Sequence, residues 1–513
     1  MERILNAAQM RQADEDTIAG GMPSLVLMER AALAVADELE QTGWDTSRIL
    51  AVCGTGNNGG DGVAAARLLA ERGYSVSVCL TGNREKYSEQ MRCQLKIAEK
   101  YPITFVNSFD PGEYTVIIDA LFGVGLAREV GGVFLDAVRA VNRSGAKILS
   151  VDIPSGVHTD TGQILGEAVK ADLTVTVAYK KQGLLLFPGA GCAGGVILKK
   201  IGIRAAEAVP AESVYCLEEK DIQSLPVRDE SGNKGTFQKL LIIAGSETIC
   251  GAAFLSAKAA LRTGVGMVRI YTAEKNRTPL SVLIPEALID TWEGEEPDGG
   301  QLQSLLDWAD AVEIGPGLSV SGFAEKLLAL FLEMNHLPCV MDADALNLMA
   351  RNPGLWEKVK FPCTITPHVG EMSRLTGLSA AVIKSDLVAA TRNFAMEHGV
   401  VCHLKDARSV TASENGCCYI TVTGNSARRN HRGTDGSGRQ ASCACGSGWR
   451  LHPRALRQRS FQKILQSFCG CGRSSGRDRR ISVKKNEMNT SDKLGNTEIS
   501  PEQRTKNIES ECD

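Results

Sequence analysis

The most constraining feature of this chain is an apolar run that ends abruptly in glycine. Ile49 to Cys53 carry no polar side chain, and Gly54-Thr55-Gly56-Asn57-Asn58-Gly59-Gly60-Asp61-Gly62 follows at once, then the Ala- and Leu-rich stretch Val63 to Arg72. A short run that is apolar on both faces reads as a strand buried in a parallel sheet. A glycine turn leading into a helical pattern is the first half of a βαβ crossover. The unit recurs, with strands expected over Ser75 to Leu80, Val116 to Ala120, Ala146 to Ile153, Ala171 to Ala178 and Val196 to Ile201. Met22 to Glu40 shows a broad apolar helical face through Leu25, Leu27, Met28, Ala31, Ala32 and Val35. Residues 204–235 lack sustained periodicity and read as a linker. A second series begins at Lys239, with strands expected over Leu240 to Ala244, Met267 to Tyr271, Ala311 to Ile314, Pro338 to Met341, Cys363 to Thr366, Val400 to Leu404, Ser409 to Ala412 and Cys418 to Val422. Ala252 to Thr263 is its alanine-rich helix. This alternation predicts an α/β protein with mostly parallel sheets and ligands at the C-terminal strand ends.

At 513 residues the chain exceeds what one core usually fills, so at least two domains are expected. No apolar run approaches the roughly 18 residues of a membrane span. Met1 to Met10 lack a basic segment followed by an apolar core, so no secretory signal is expected. Sixteen cysteines in such a chain then read as reduced thiols of a cytoplasmic protein. The net charge of −3 is unevenly spread, because residues 426–480 carry twelve Arg and one Lys against only Asp435 and Asp478.

Three strand ends point at one edge of the first sheet. The glycine segment would let backbone N–H groups approach a phosphate at a helix N-terminus. Asp119 follows Val116-Ile117-Ile118, and Asp152 follows Leu149-Ser150-Val151. Either carboxylate alone could cap a helix and the glycines could form a plain tight turn, but together they fit a cation site beside an acid–base group.

Asn57-Asn58-Gly59-Gly60-Asp61-Gly62, Asp119-Ala120-Leu121-Phe122-Gly123-Val124-Gly125-Leu126 and Val151-Asp152-Ile153-Pro154-Ser155-Gly156 resemble the three signatures of NAD(P)H-hydrate epimerases, which interconvert the R and S forms of hydrated NADH and NADPH. The resemblance implies a Rossmann-like three-layer domain over residues 1–215. It implies that Asn57, Asn58, Gly59, Gly60 and Asp61, with Gly123, Val124, Gly125, Leu126, Ala127, Arg128 and Glu129, bind the hydrate. It further implies that Asn58, Asp119 and Ser155 ligate a potassium ion and that Asp152 is the catalytic contact to the nicotinamide ring.

The second half resembles the ribokinase-like, ADP-dependent NAD(P)H-hydrate dehydratases, through Gly245-Ser246 with Gly251-Ala252-Ala253, Gly315-Pro316-Gly317-Leu318, Asp342-Ala343-Asp344-Ala345-Leu346-Asn347, Thr366-Pro367-His368-Val369-Gly370-Glu371 and Lys405-Asp406-Ala407-Arg408. The resemblance implies a ribokinase-like α/β domain over residues 216–425. Ala252, Gly317 and His368 would line the hydrate site, and Lys405, Asp406, Ala407, Arg408 and Ser409 would contact ADP, bound with Mg2+. The resemblance implies a small-molecule partner, the hydrated NADH or NADPH; a homo-oligomer that binds neither nucleic acid nor membrane is the expectation. A small-molecule kinase and a non-catalytic nucleotide-binding regulator are the alternatives, separated from the repair reaction by turnover of the hydrate.

After Thr423-Gly424-Asn425 that pattern stops. Dehydratases of this type carry there a Gly-Ser-Gly-Asp turn, whose Asp is the base, and a small-residue helix; this chain reads Ser426-Ala427-Arg428-Arg429-Asn430-His431-Arg432-Gly433-Thr434-Asp435-Gly436-Ser437-Gly438-Arg439, with Asp435 near the expected distance from Asn425 but among neighbours that do not match. Residues 426–480 contain four Ile, Leu or Val among twelve Arg and eight Gly, too few to build a core. A zinc site through Cys443, Cys445, Cys469 and Cys471, a basic nucleic-acid arm, and a shift of reading frame near Ser426 are the three readings. The break in mid-motif favours the last and predicts an impaired dehydratase with an atypical tail over 426–513.

Overall fold

The computed structural model describes residues 1–207, 209–217, 221 and 238–422. They form two sheets. The first has seven strands in the order Thr104–Val106, Val76–Leu80, Ile49–Cys53, Val116–Ala120, Lys147–Val151, Leu173–Val177 and Gly195–Lys199, every neighbouring pair parallel. All five residues of Ile49–Cys53 are buried, and strand alternation divides them between two layers. Ile49, Ala51 and Cys53 pack with Ala32, Val35 and Leu39 of the Ser24–Gln41 helix. Leu50 and Val52 pack with Val138 and Val141 of the Val133–Arg143 helix. The three-layer α/β expectation therefore holds for this half.

The second sheet has twelve strands. Leu288–Trp292, Met267–Ala273, Lys239–Ile243, Ala311–Ile314, Cys339–Met341, Cys363–Ile365 and Val401–Leu404 run parallel, and Ser409–Ala412 and Cys418–Thr421 follow antiparallel. Its edge is then completed by Val214–Cys216, Glu2–Leu5 and Lys180–Lys181. The linker reading of 204–235 is corrected at this point. Val214–Cys216 lies between two partners, pairing Tyr215 with Arg3 antiparallel and with Tyr419 in parallel. A three-residue strand has too few positions for a periodic signal, and its stability comes from partners far away in sequence. The expected division between 215 and 216 falls inside this strand.

One further correction concerns the glycine segment. It is not a loop before a helix: the helix starts at Asn57 and runs to Glu71, with Gly56 as its N-cap. Three glycines in one helix cost about 3 kcal/mol relative to alanine, yet two of them make contacts that alanine could not. A Cβ on Gly59 would lie 2.1 Å from the Gly54 carbonyl oxygen, and one on Gly62 would lie 2.4 Å from Ala120 Cβ. The helix start is thus pressed directly onto two strand ends. Burial of Val63, Leu69 and the alanines between them, at roughly 1.5–3 kcal/mol for each large side chain, offsets the low propensity. The tail readings, including Asp435, the four tail cysteines and the basic segment, lie outside the described residues.

Candidate active site

In the first sheet the chain leaves Ile49–Cys53 towards Val76–Leu80 and later returns to the other side at Val116–Ala120. Such a reversal opens a crevice at the strand C-termini. The N-terminus of the Asn57–Glu71 helix and the segment after Ala120 stand on its two sides, and a cavity of about 150 Å³ lies beside them. Of the expected hydrate-binding residues, Asn57, Asp61 and Val124 line it, together with Asp152. Gly59 and Gly60 are instead buried on the inner sides of the helix's first turns, against Gly54 and the Met28 side chain. Leu126 is buried in the core, whereas Ala127, Arg128 and Glu129 are exposed on the neighbouring loop. Gly125 is exposed, and Gly123 packs against the Asn58 side chain.

Asp152 sits at the strand end with φ +69°, a left-handed conformation that costs a non-glycine residue about 1 kcal/mol or more and is held by its surroundings. Its N–H donates to Val175 O at 2.8 Å. Oδ1 accepts from Thr176 Oγ1 and Val177 N, each at 3.2 Å, and from Lys181 Nζ. Lys181 is fully buried; burial pulls its pKa down, and the neighbouring Asp152 opposes that shift. Asp61 is pushed well above the usual carboxylate range, by burial first and then by the charges of Asp152 and Asp14. Asp14, on the Ala7–Ala19 helix, is raised by burial and by Glu15. The pocket therefore sets a carboxyl whose neutral form is favoured by burial beside an ion-paired one, two environments that push acid and base roles apart.

Lys181, Asp14 and Arg11 also line the cavity, and no sequence motif singled them out. Lys180-Lys181 reads as a solvated charge pair, and Arg11 and Asp14 belong to a polar helix before the first apolar one. The only hint was a lysine pair flanked by Val175, Val177 and Leu184 to Leu186.

Asp119, Ser155 and Asn58 converge on the Phe122-Gly123 backbone. Asp119 is fully buried and accepts four hydrogen bonds: Ser155 Oγ at 2.6 Å and Leu121 N at 3.3 Å on Oδ1, Ser150 Oγ at 2.7 Å and Ser155 N at 2.9 Å on Oδ2. Burial raises its pKa and the Ser155 bonds oppose that rise. Ser155 Oγ also accepts from Phe122 N at 2.9 Å. The Asn58 Nδ2 atom is buried with no hydrogen-bond partner.

The second sheet repeats the reversal between Lys239–Ile243 and Ala311–Ile314, and the expected residues gather at the same end. A Cβ on Gly317 would lie 2.9 Å from Ala252 Cβ, so these two are in contact. Gly315 takes φ +123° where a Cβ would strike the Asp342 carbonyl oxygen at 2.0 Å. Asp342 Oδ1 accepts from Lys405 Nζ at 2.8 Å, and Lys405 N donates to Pro367 O at 2.8 Å beside His368. His368 caps the Val369–Thr376 helix, its Nδ1 accepting from Gly370 N at 2.9 Å and Glu371 N at 3.2 Å. Lys405 is thus ion-paired and Asp406 lies 3.5 Å from Lys384. Arg408 is half-buried over the Phe187 ring, Ala407 is exposed, and Ser409 opens a strand. Below them Glu313 is fully buried, with Oε1 accepting from Ser256 Oγ at 3.1 Å and Oε2 without a partner.

Residues 24–183 match the family model described as YjeF-related protein N-terminus, and residues 240–438 match that of NAD(P)H-hydrate dehydratase. The bifunctional NAD(P)H-hydrate repair enzyme Nnr of Thermofilum pendens is 36% identical over 422 residues, covering 79% of this chain and 80% of that protein. The NAD(P)H-hydrate epimerase of Oenococcus oeni is 46% identical over 202 residues, covering 39% of this chain and 96% of that protein. Among solved structures, the ADP/ATP-dependent NAD(P)H-hydrate dehydratase from Bacillus subtilis, co-crystallized with ATP and Mg2+, aligns at 24% identity over 49% of this chain and 84% of that one, with a TM-score of 0.36. With both halves matched in order along a single chain, this protein belongs to the bifunctional NAD(P)H-hydrate repair enzyme family.

Proposed function

We propose that the N-terminal half epimerises hydrated NADH and NADPH at the cavity of Asp152 and Asp61, and that this is the working activity of the chain. The observation that carries it is the ion-paired Asp152 facing the same cavity as Asp61 at the switch point of the sheet. The hydrate bears a hydroxyl on a ring carbon next to nitrogen, so opening and reclosing a bond at that carbon inverts it. This needs a group that takes a proton and one that returns it, work for which positioned carboxyls supply roughly 10²–10⁴ in rate. Asp152 would accept the proton, Asn57 and Val124 would border the ring, and the free N–H groups opening the Asn57–Glu71 helix would face the phosphates.

Asn58, Asp119 and Ser155 would hold a potassium ion. The donors are hard oxygens, which suit such a cation, and turning the Asn58 amide would replace its unpartnered Nδ2 with the carbonyl oxygen. The ion supplies positive charge beside the Phe122-Gly123 backbone where the substrate enters. Exchanging potassium for lithium should weaken turnover or binding, and indifference to the cation would remove this assignment.

For the second half we propose ADP-dependent dehydration with little remaining activity. Ala252, Gly317, His368 and Lys405 stand at one strand edge, which supports a hydrate and nucleotide site there. Magnesium would arrive on the nucleotide's phosphates; among the described residues no group of three His, Cys, Asp or Glu side chains is placed to hold a metal. The family match runs on to residue 438, but Gly436-Ser437-Gly438 is followed by Arg439 and not by the Asp of a Gly-Ser-Gly-Asp turn, the turn that would carry the base and the oxyanion donors, each donor being worth roughly 10²–10³ in rate. ADP-dependent formation of NADPH from the S-hydrate by the full chain, abolished by Asp435→Asn, would overturn the impairment and make Asp435 the base.

A further inference from the structure

Lys180 and Lys181 are neighbours with opposite surroundings. They form a two-residue strand paired in parallel with Glu2–Leu5, and strand alternation sends their side chains to opposite faces. Lys180 Nζ meets Glu2 Oε2 at 2.7 Å on the partly open side. Lys181 turns inward, is fully buried, and directs its ammonium at three acceptors: Asp152 Oδ1, Thr176 Oγ1 at 2.9 Å and Val177 O at 2.9 Å. An ammonium has three protons, so all of them are matched and its geometry is fixed. Asp152 Oδ1 is in turn saturated by Lys181, Thr176 and Val177. No hydrogen bond to Asp152 Oδ2 is made among the described residues, and Asp152 lines the cavity.

We propose that Lys181 is a positioning residue of the epimerase site, whose ammonium clamps Asp152 through Oδ1 and thereby presents Oδ2 to the hydrate. The inference rests on the reading of Asp152 as the proton-exchanging group. Without the clamp the carboxylate could turn about its Cβ–Cγ bond and lose its alignment, and misplacement by an ångström can cost roughly 10²-fold in rate. The other charged groups lining the cavity are Asp61, Asp14 and Arg11; of the two cations only Lys181 is in contact with Asp152. Its backbone is held by Leu5, the register partner of Lys181, so the clamp is anchored on a strand of the second sheet.

The test uses the full chain and the R-epimer of NADPH hydrate, following appearance of the S-epimer. Lys181→Met should lower kcat about tenfold or more with KM within about twofold, as expected for loss of an interaction that matters at the transition state. It should also move the acid limb of the kcat profile to higher pH by about half a unit or more, because a carboxylate that loses a neighbouring cation is harder to ionise. In an Asp152→Asn background the same change should cost less than about twofold, since the lysine acts through a carboxylate already removed. Removing one partner of a buried pair can also unfold a protein. Thr176→Val, which deletes one acceptor of the ammonium and one donor to Asp152 at nearly constant shape, therefore serves as the second variant and should move the acid limb the same way by a smaller step. An acid limb unmoved in folded Lys181→Met, or in Thr176→Val if the first does not fold, overturns the proposal. Full additivity with Asp152→Asn does the same. An inactive Asp152→Asn beside a Lys181→Met variant of unchanged kcat and pH profile defeats the clamp alone, whereas an active Asp152→Asn brings down the reading beneath it.

Discussion

Single carboxyls decide most of the chemistry, and they differ because their surroundings differ. Asp152 is tied to Lys181, Asp119 to two serine hydroxyls, and Glu313 to one. Asp152→Asn keeps the shape and removes the charge, so epimerisation by the folded variant should fall by about 10²-fold or more, and its Tm should also fall because the buried Lys181 loses its counter-ion; unimpaired turnover would remove Asp152 from the mechanism. Glu313 yields a stability prediction. Burial, and then the charge of Asp342, hold its pKa well above the ordinary 4.5. A group raised on folding contributes stability that is complete below its unfolded value and is lost as pH rises towards the folded one. The wild-type Tm should therefore fall relative to that of Glu313→Gln as the pH rises above the ordinary 4.5. Parallel melting curves for the two proteins would show that Glu313 is not held protonated by the fold.

At the scale of elements, glycine decides how closely the helix start approaches the strands. Alanine normally improves a helix interior by about 1 kcal/mol over glycine. At Gly59 the sign should reverse, because the new Cβ meets backbone at 2.1 Å, and overpacking of this kind costs about 1–3 kcal/mol. Gly125→Ala, with nothing within 4 Å of its Cβ position, should stay within about 0.5 kcal/mol of wild type; denaturant unfolding measures both. The same elements show what sequence could and could not reveal. Continuous apolar runs such as Ile49–Cys53 and Val116-Ile117-Ile118 were legible because burial on both faces demands them. The start of the Asn57–Glu71 helix was not, since Asn, Gly and Asp favour turns locally and only contact with Gly54 and Ala120 makes them helical. Asp152 was legible as a polar residue at a strand end. Lys181 was not, because its burial depends on pairing with Leu5, which is remote in sequence.

For the molecule as a whole, the Val214–Cys216 strand is the notable connection. It joins the Glu2–Leu5 strand at the start of the chain to Cys418–Thr421 near the end of the described residues. Tyr215 stacks on Tyr419, with ring centroids 5.9 Å apart. Proline at such an interior strand position removes a ladder hydrogen bond. Tyr215→Pro should therefore lower Tm and separate one calorimetric transition into two, whereas an unchanged single transition would mean that the halves are not coupled through this strand. The central claim, however, is that a working epimerase site stands at the switch point of the first sheet, independent of nucleotide and of the sequence after Asn425. The most direct measurement gives the purified full chain the R-epimer of NADPH hydrate without ADP. The S-epimer should appear until both forms coexist, and Asp152→Asn should suppress its appearance. An R-epimer that persists at its uncatalysed rate in the presence of the wild-type chain would contradict the account.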